Sequence, residues 1–311
     1  MGTAEFLVRR LFTMIPVLVG VTVLVFMVLH LAPGDPIVLM LGTEWTPERA
    51  AVLKAEMGLD RPLPAQYISW LGGLFVGDLG TQYTTREPVL RAIVSRVPTT
   101  LILAGGAMVV ATLISIPLGF LSAVKQGTWI DSGLRILALI GISMPVFWLG
   151  IVLIIVFAVN LRLLPAGGGL AQHGWKAFIL PCVALGTSFA ALLMRMTRSS
   201  VLDVIRQDYV RTAEAKGLSK LYVLSKHVFK NAAIPIATVA GLQLGAVLGG
   251  AVLTEIIFSL PGLGRLLYAA INSRDYPTLQ GTILFVALAF VTINLLIDLL
   301  YAVLDPRVKY G

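Results

Sequence analysis

A polar and basic segment, residues 195–231, lies between two uncharged apolar stretches and carries the residues best suited to interaction chemistry. Its eight lysine and arginine side chains oppose only three carboxylates. At its centre, aromatic, charged and small residues precede a glycine: Tyr209, Arg211, Thr212, Ala213, Glu214, Ala215, Lys216 and Gly217. Because lysine and arginine favour the cytoplasmic side of a membrane, we predict a cytoplasmic docking surface here.

The sequence lacks the residue patterns needed for ATP hydrolysis and for metal binding. The phosphate-binding pattern Gly-x4-Gly-Lys-Ser/Thr of ATPases does not occur, because the chain contains no Gly-Lys pair. The three histidines are scattered over different segments, and the single cysteine, Cys182, cannot build a zinc site. We therefore predict no catalytic residues, no metal site and no cofactor bound by this chain.

Three charged residues near the ends of apolar stretches are candidates for contact with a substrate or a partner. Glu255 ends an apolar stretch, and Arg274 and Asp275 lie in the loop that follows, residues 259–280. Charges close to lipid are costly and are usually functional or paired. We predict that Glu255 meets substrate or bonds to a loop, and that Arg274 and Asp275 contact a binding protein, guard an outer gate or belong to a simple connector.

Small residues recur at four-residue intervals in one apolar stretch, at Ala237, Gly241, Gly245 and Gly249. Such a smooth ridge lets another helix approach closely. It predicts helix packing, and the alternative is a helix that lines a moving pathway or a subunit seam.

The composition is that of a polytopic membrane protein. Hydrophobic residues make up 57% of the chain and charged residues only 13%, against about 25% charged in soluble domains. Residues 1–311 are thus predicted to form one all-α transmembrane domain. Windows of about 18 or more uncharged apolar residues predict six transmembrane helices, at 11–32, 101–124, 136–159, 177–194, 232–253 and 279–297.

Basic flanks predict the orientation of these spans. Arg9 and Arg10 precede the first span and Arg307 follows the last, so both termini are expected in the cytoplasm with residues 195–231. Residues 34–98 are then expected outside the membrane. This topology explains the net charge of +8, so no nucleic-acid partner is predicted.

The external segment is expected to be folded. Thr46 and Pro47 predict the start of a helix that runs to about Met57, and Gly58 predicts its end. A second short helix is predicted at residues 64–76.

Several motifs together resemble the permeases of ABC importers, in the branch that serves dipeptides, oligopeptides and nickel. The docking segment, followed by His227-Val-Phe-Lys-Asn231-Ala-Ala-Ile-Pro235, is similar to their cytoplasmic signature loop. The general importer signature begins Glu-Ala-Ala where this chain has Arg211, Thr212 and Ala213, a departure typical of the peptide branch. Further motifs resemble the first of that branch's two permeases, at Arg9-Arg10 with Pro16 and at residues 30–36, 77–80, 145–150, 274–277 and 298–307.

The resemblance implies a type I ABC-importer permease fold with a periplasmic insertion after the first helix, in the bacterial inner membrane. It implies that residues 209–217 form the helix that couples to the ATPase, with Ala213 and Ala215 small enough to enter a groove and Gly217 reversing the chain. The implied partners are a second homologous permease subunit, two ATPase subunits that bind ATP and Mg, and an extracytoplasmic solute-binding protein.

The resemblance also implies that the substrate is a peptide, with nickel or glutathione as the alternative within the same branch. The external loops offer no histidine or cysteine cluster that would favour a metal. A secondary transporter or channel subunit that runs without ATP is the alternative from a different class. Six predicted spans, no inverted repeat and a large cytoplasmic docking surface argue against it.

Overall fold

The computed structural model describes the backbone of residues 3–31 and 36–304, and the side chains of residues 12–27, 37, 38 and 41–297. The motif residues Arg9, Arg10, 30–36 and 298–307 therefore lie wholly or largely outside the described side chains. Fourteen α-helices form the described chain. They are α1 Thr3–Leu31, α2 Pro36–Leu41, α3 Pro47–Glu56, α4 Leu63–Phe75, α5 Val89–Val124, α6 Trp129–Ser143, α7 Val146–Leu153, α8 Leu170–His173, α9 Lys176–Ile205, α10 Asp208–Ala215, α11 Lys220–Tyr222, α12 Lys230–Ile257, α13 Leu263–Ser273 and α14 Tyr276–Leu304.

Two π-helical segments interrupt this series, Ile154–Asn160 after α7 and Val223–Phe229 between α11 and α12. The described chain divides into two compact units. The first comprises the residues up to Pro98 together with Pro261–Thr292, and the second comprises Thr99–Leu260 together with the residues from Ile293 onward. The single permease domain stays a prediction.

The two short helices predicted for the external segment are confirmed in the first unit. The Thr46 side chain accepts a hydrogen bond from the Arg49 backbone over 3.3 Å, and Pro47 occupies the first turn of α3. Gly58 follows that helix with φ +65°, a conformation in which glycine avoids the Cβ clash. Helix α4 lies within one residue of its predicted bounds.

Two apolar clusters hold the first unit together. Val89, Ala92 and Ile93 of α5 pack with Leu263 and Leu266 of α13. In the other, buried apolar residues of α1, α13 and α14 meet, namely Val25, Ala270 and Leu279.

The second unit is built around α9, which packs against α6, α7 and α12. Glycines let α5 come close to α9: a Cβ at Gly119 would stand 2.6 Å from the Met194 carbonyl oxygen, and one at Gly186 2.5 Å from that of Ala107. Small residues at a crossing are a common means of packing transmembrane helices. Gly119 and Gly186 therefore allow α5 and α9 to pack closely.

Among the residues that the structure describes, four helices are long and apolar enough to cross a membrane, namely Val89–Val124, Lys176–Ile205, Lys220–Ile257 and Tyr276–Ile297. The predicted third span is instead two helices, α6 and α7, bent by 98°. Pro145 explains the break, because proline disfavours the helical conformation of the residue before it, and Met144 is extended. The described part of α1 includes a shorter apolar stretch, Phe12–Met27.

Candidate functional site

The predicted docking helix exists as α10 and is closed by a left-handed turn. It begins with Asp208, an acid that suits the positive end of a helix dipole. It ends at Ala215, after which Lys216 caps it and Gly217 has φ +79°. The left-handed turn expected at Gly217 is present, and glycine suits it because this backbone conformation strains residues with a Cβ.

One face of α10 is buried against its own protein. Val210 and Ala213, one turn apart, are 2% and 7% exposed and join an apolar cluster with Val201, Val223 and Val228. The prediction that Ala213 enters a partner's groove is therefore wrong: its methyl group packs inward. The i, i+3 spacing of Val210 and Ala213 was the sequence signal for this inward face.

The other face of α10 is exposed and charged. Arg211 and Asp208 form an ion pair of 3.9 Å, and both side chains are largely exposed. Such a pair contributes little to stability in water, so both charges are available to a partner. The exposed members of the predicted set are Tyr209, Arg211, Thr212, Glu214, Ala215, Lys216 and Gly217.

Tyr209 ties α10 to the beginning of α12. Its hydroxyl lies 3.3 Å from the His227 carbonyl oxygen, to which it donates. The side-chain amide of Asn231 donates to the Tyr209 hydroxyl over 3.1 Å and to the same His227 carbonyl over 2.7 Å. We call these three hydrogen bonds the Tyr209–Asn231 link.

An ion pair not anticipated from the sequence lies elsewhere in the second unit. Asp131 of α6, 1% exposed, accepts hydrogen bonds from Ser122 and from the backbone of Gly127, and pairs with Arg198 of α9. The Arg198 side chain is therefore bound to Asp131 and is not part of the basic docking surface predicted for residues 195–231. The available signal was the lone acid Asp131 in an apolar helix, since such a charge is costly unless it is paired.

Glu255 of α12 is buried rather than presented to substrate. Its side chain is 0% exposed, and Thr100 of α5 donates a hydrogen bond to its carboxylate over 2.6 Å. The prediction of a substrate-facing carboxylate is wrong, and one of the hydrogen-bond partners of Glu255 is the helix residue Thr100. A buried carboxylate bonded in this way joins α12 to α5.

The segment predicted as the loop 259–280 contains helix α13 in the first unit. Asp275 is 3% exposed and accepts hydrogen bonds from the backbone of Tyr83 and of Thr278. Burial, and then the Asp275 carboxylate, raise the pKa of the Tyr83 phenol well above its usual range. Asp275 is therefore used inside the unit, and its predicted contact with a partner is wrong.

Arg274 stands at the end of α13 in the left-handed conformation, with φ +50°. Its side chain is half-buried. A non-glycine residue in this conformation is uncommon.

The predicted glycine ridge does not form a single face of α12. An α-helix turns about 100° per residue, so every fourth residue is displaced by about 40° around the axis. Gly245 is buried in the second unit, whereas Gly249 is exposed and has no atom within 4 Å of where a Cβ would stand. Ala237 and Gly241 line an apolar groove of about 570 Å³ formed by α5, α9 and α12 with Phe229.

Comparison with known families decides what kind of protein carries these features. Residues 115–310 match the family described as binding-protein-dependent transport system inner membrane component. Residues 3–104 match the N-terminal model of such membrane components. The chain belongs to this family. It is a multi-pass inner-membrane permease of the ABC-importer type, which works with ATPase and binding-protein partners.

Curated relatives cover the permease from end to end. It is 42% identical to the dipeptide transport system permease protein DppB of Escherichia coli (strain K12), over 98% of this chain and 99% of that protein. It is 44% identical to the DppB of Alkalihalophilus pseudofirmus (strain ATCC BAA-2126 / JCM 17055 / OF4), over 97% and 98%. The family resemblance inferred from the motifs is confirmed.

Solved structures support the fold of the permease. An inward-facing MetNI methionine ABC transporter matches with a TM-score of 0.59 and 17% identity, over 70% of this chain and 97% of that one. An amino acid ABC transporter with histidines matches with a TM-score of 0.52 and 14% identity, over 69% and 94%. These likenesses confirm the predicted all-α, type I permease fold.

Proposed function

We propose that this permease is one of two related membrane subunits of an ATP-driven importer of dipeptides or oligopeptides, and that it forms half of the translocation pathway. The observation that carries the proposal is α10, a short helix with an exposed charged face and a buried face seated on its own core. Its near full-length relatives are named as dipeptide permeases, which supports peptide as the substrate class.

In this proposal two ATPase subunits supply the energy and bind ATP and Mg, and the permease itself carries no ATPase site. The exposed side chains of Arg211, Glu214 and Lys216 provide both signs of charge for contact with an ATPase subunit. Complementary charges of this kind favour the correct partner and its register. Closure of the ATPase on ATP would displace α10 as a rigid body and change which side of the pathway is open.

The proposed orientation places α10 and both termini in the cytoplasm and residues 34–98 outside. The basic flanks of the spans support it. The remaining proposed partners are a solute-binding protein outside the membrane and the second permease. Gly249 and the groove lined by Ala237 and Gly241 are exposed parts of α12 suited to the second permease or to the pathway.

Purification of the native complex tests this assignment against an ATP-independent transporter. A tagged chain is extracted from its own membrane in mild detergent, and the proteins that copurify are identified by mass spectrometry. The proposal expects a P-loop ATPase and a second, related permease in amounts comparable to this chain. Recovery of a homo-oligomer alone would contradict the proposal and favour the ATP-independent class.

A further inference from the structure

Helix α10 is held to the second unit by contacts of two different kinds. Val210 and Ala213 make apolar contacts beneath the helix. Apolar contacts have no directional preference, so they permit a short helix to shift or turn. Tyr209, by contrast, makes hydrogen bonds on the exposed side of the same helix, and these bonds require a particular geometry.

The Tyr209–Asn231 link ends on an unusual piece of backbone. His227 lies inside the π-helical segment Val223–Phe229, which leads directly into α12. Segments of this type are rare, and they occur often at functional sites. The His227 carbonyl oxygen accepts one hydrogen bond from Tyr209 and another from Asn231, so the link joins three points: α10, the π-helical segment and the first turn of α12.

The Tyr209–Asn231 link can transmit a displacement of α10 to α12. A displacement of α10 along the protein surface stretches the hydrogen bonds of Tyr209 before it disturbs the apolar contacts, because hydrogen bonds weaken steeply with distance and angle. The force is then applied at Asn231, in the first turn of α12. That helix also carries Gly249 and one wall of the apolar groove.

We propose that Tyr209 and Asn231 are positioning residues that transmit the movement of α10 to α12 through the π-helical segment. This inference rests on the proposed function and adds the residues through which ATPase closure reaches the membrane. Neither residue contacts substrate in this account. The Tyr209 hydroxyl makes two of the three hydrogen bonds of the link. Loss of two weak net hydrogen bonds changes an equilibrium about five-fold, so removal of the hydroxyl lowers the peptide imported per ATP hydrolysed by about that factor.

Three variants and a matched control isolate the link. Tyr209→Phe removes the hydroxyl and keeps the ring, Asn231→Leu removes the amide at similar size, and the third variant combines them. Tyr222→Phe is the control. It removes the hydroxyl of a neighbouring tyrosine whose described side-chain contacts, to His227 and Lys226, are made by the ring.

The movement of α12 is measured by thiol labelling, which does not require a substrate. Gly249→Cys, in a Cys182→Ala background, places a thiol on the exposed side of α12 where no atom lies within 4 Å. The complex of this chain with its copurified ATPases and second permease is held in lipid nanodiscs. The rate of thiol labelling is compared between the nucleotide-free and the vanadate-trapped states. Uptake per ATP hydrolysed is measured in proteoliposomes with the binding protein and a labelled dipeptide.

We expect the labelling rate to differ between the nucleotide-free and the vanadate-trapped states in the parent protein and in Tyr222→Phe. In Tyr209→Phe, most of this difference is expected to disappear. Uptake per ATP falls about five-fold in each single variant and no further in the double variant, because both act through one link. The amount of copurified ATPase stays the same, which separates transmission from a merely structural role.

Three results would overturn the inference. They are a labelling rate in the parent protein that does not change with nucleotide, a Tyr209→Phe variant that behaves as the parent does, and losses of uptake per ATP that multiply in the double variant. If Asn231→Leu does not assemble, Tyr209→Phe decides alone. Failure of the proposed function has a different signature. A parent complex that labels in a nucleotide-dependent way but imports no peptide would contradict peptide import and leave the link intact.

Discussion

Asp131 and Arg198 form a two-point ion pair that joins α6 to α9: the guanidinium Nε and Nη2 donate to the two carboxylate oxygens over 2.8 and 2.9 Å. The carboxylate is 1% exposed and the Arg198 side chain 22%. Bidentate geometry makes this the strong form of an ion pair. The pair fixes the helix that leads toward α10 against the first half of the broken span.

Removal of one partner from this pair is expected to destabilise the protein strongly. Asp131→Ala leaves the Arg198 charge without its partner in a partly buried place, at a cost of about 3 kcal/mol. The thermal midpoint of the purified protein in detergent measures the loss. Arg135→Ala is the matched control, since Arg135 lies 3.6 Å from the same carboxylate and is 57% exposed. Equal midpoints for the two variants would refute the assigned importance of Arg198.

Gly217→Val is expected to impair coupling while the protein still inserts into the membrane. A β-branched residue at φ +79° strains the backbone by about 1–2 kcal/mol. No atom lies within 4 Å of where its Cβ would stand, so the effect is conformational rather than a clash within the chain. ATP hydrolysis stimulated by liganded binding protein and peptide uptake both fall. Gly217→Asn, which tolerates this conformation better, retains more of both activities. Unchanged transport in Gly217→Val would show that this turn is not needed for docking.

The topology is tested by cysteine labelling of intact spheroplasts in a Cys182→Ala background. Glu56 and Lys220 are both exposed in the structure, so accessibility within the protein does not bias the comparison. An impermeant thiol reagent is expected to label Glu56→Cys and to miss Lys220→Cys until the membrane is opened. The reverse pattern would overturn the orientation and, with it, the cytoplasmic position of α10.

Arg274→Gly separates the charge of Arg274 from its backbone conformation. Glycine accepts φ +50° without strain, so the thermal midpoint is expected to stay the same or rise. If the guanidinium contacts the binding protein, the stimulation of ATP hydrolysis by liganded binding protein weakens and the basal rate does not. Arg265→Ala in the same helix, α13, serves as the control for loss of a positive charge. Full stimulation in Arg274→Gly would show that Arg274 only ends the helix.

Local sequence signals predicted the local structure well. The cap at Thr46, the stop at Gly58 and the left-handed turn at Gly217 depend on a few neighbouring residues, and all three are present. The break at Pro145 was also readable, because proline ends a helix at the preceding residue. It was obscured by the continuous hydrophobicity of residues 136–159, from which one straight span was predicted.

The hydrogen-bond and ion-pair partners of the charged residues could not be predicted from the sequence. Thr100 and Glu255 are 155 positions apart, and Asp131 and Arg198 are 67 apart. An apolar pattern shows which stretches enter the membrane, but it does not show which helices meet. For the same reason the sequence suggested that Glu255 and Asp275 face outward, whereas both are buried and hydrogen-bonded within their own units.

Reconstitution measures whether this permease couples ATP hydrolysis to peptide import through α10. Proteoliposomes containing this chain, its second permease and its ATPases are supplied with binding protein and a labelled dipeptide. We predict peptide accumulation that requires both ATP and the binding protein. Replacement of Arg211 and Lys216, on the exposed face of α10, by glutamate is expected to lower both this accumulation and the stimulated ATP hydrolysis. Peptide movement without ATP, or undiminished accumulation in the Arg211→Glu/Lys216→Glu variant, would contradict coupling through α10.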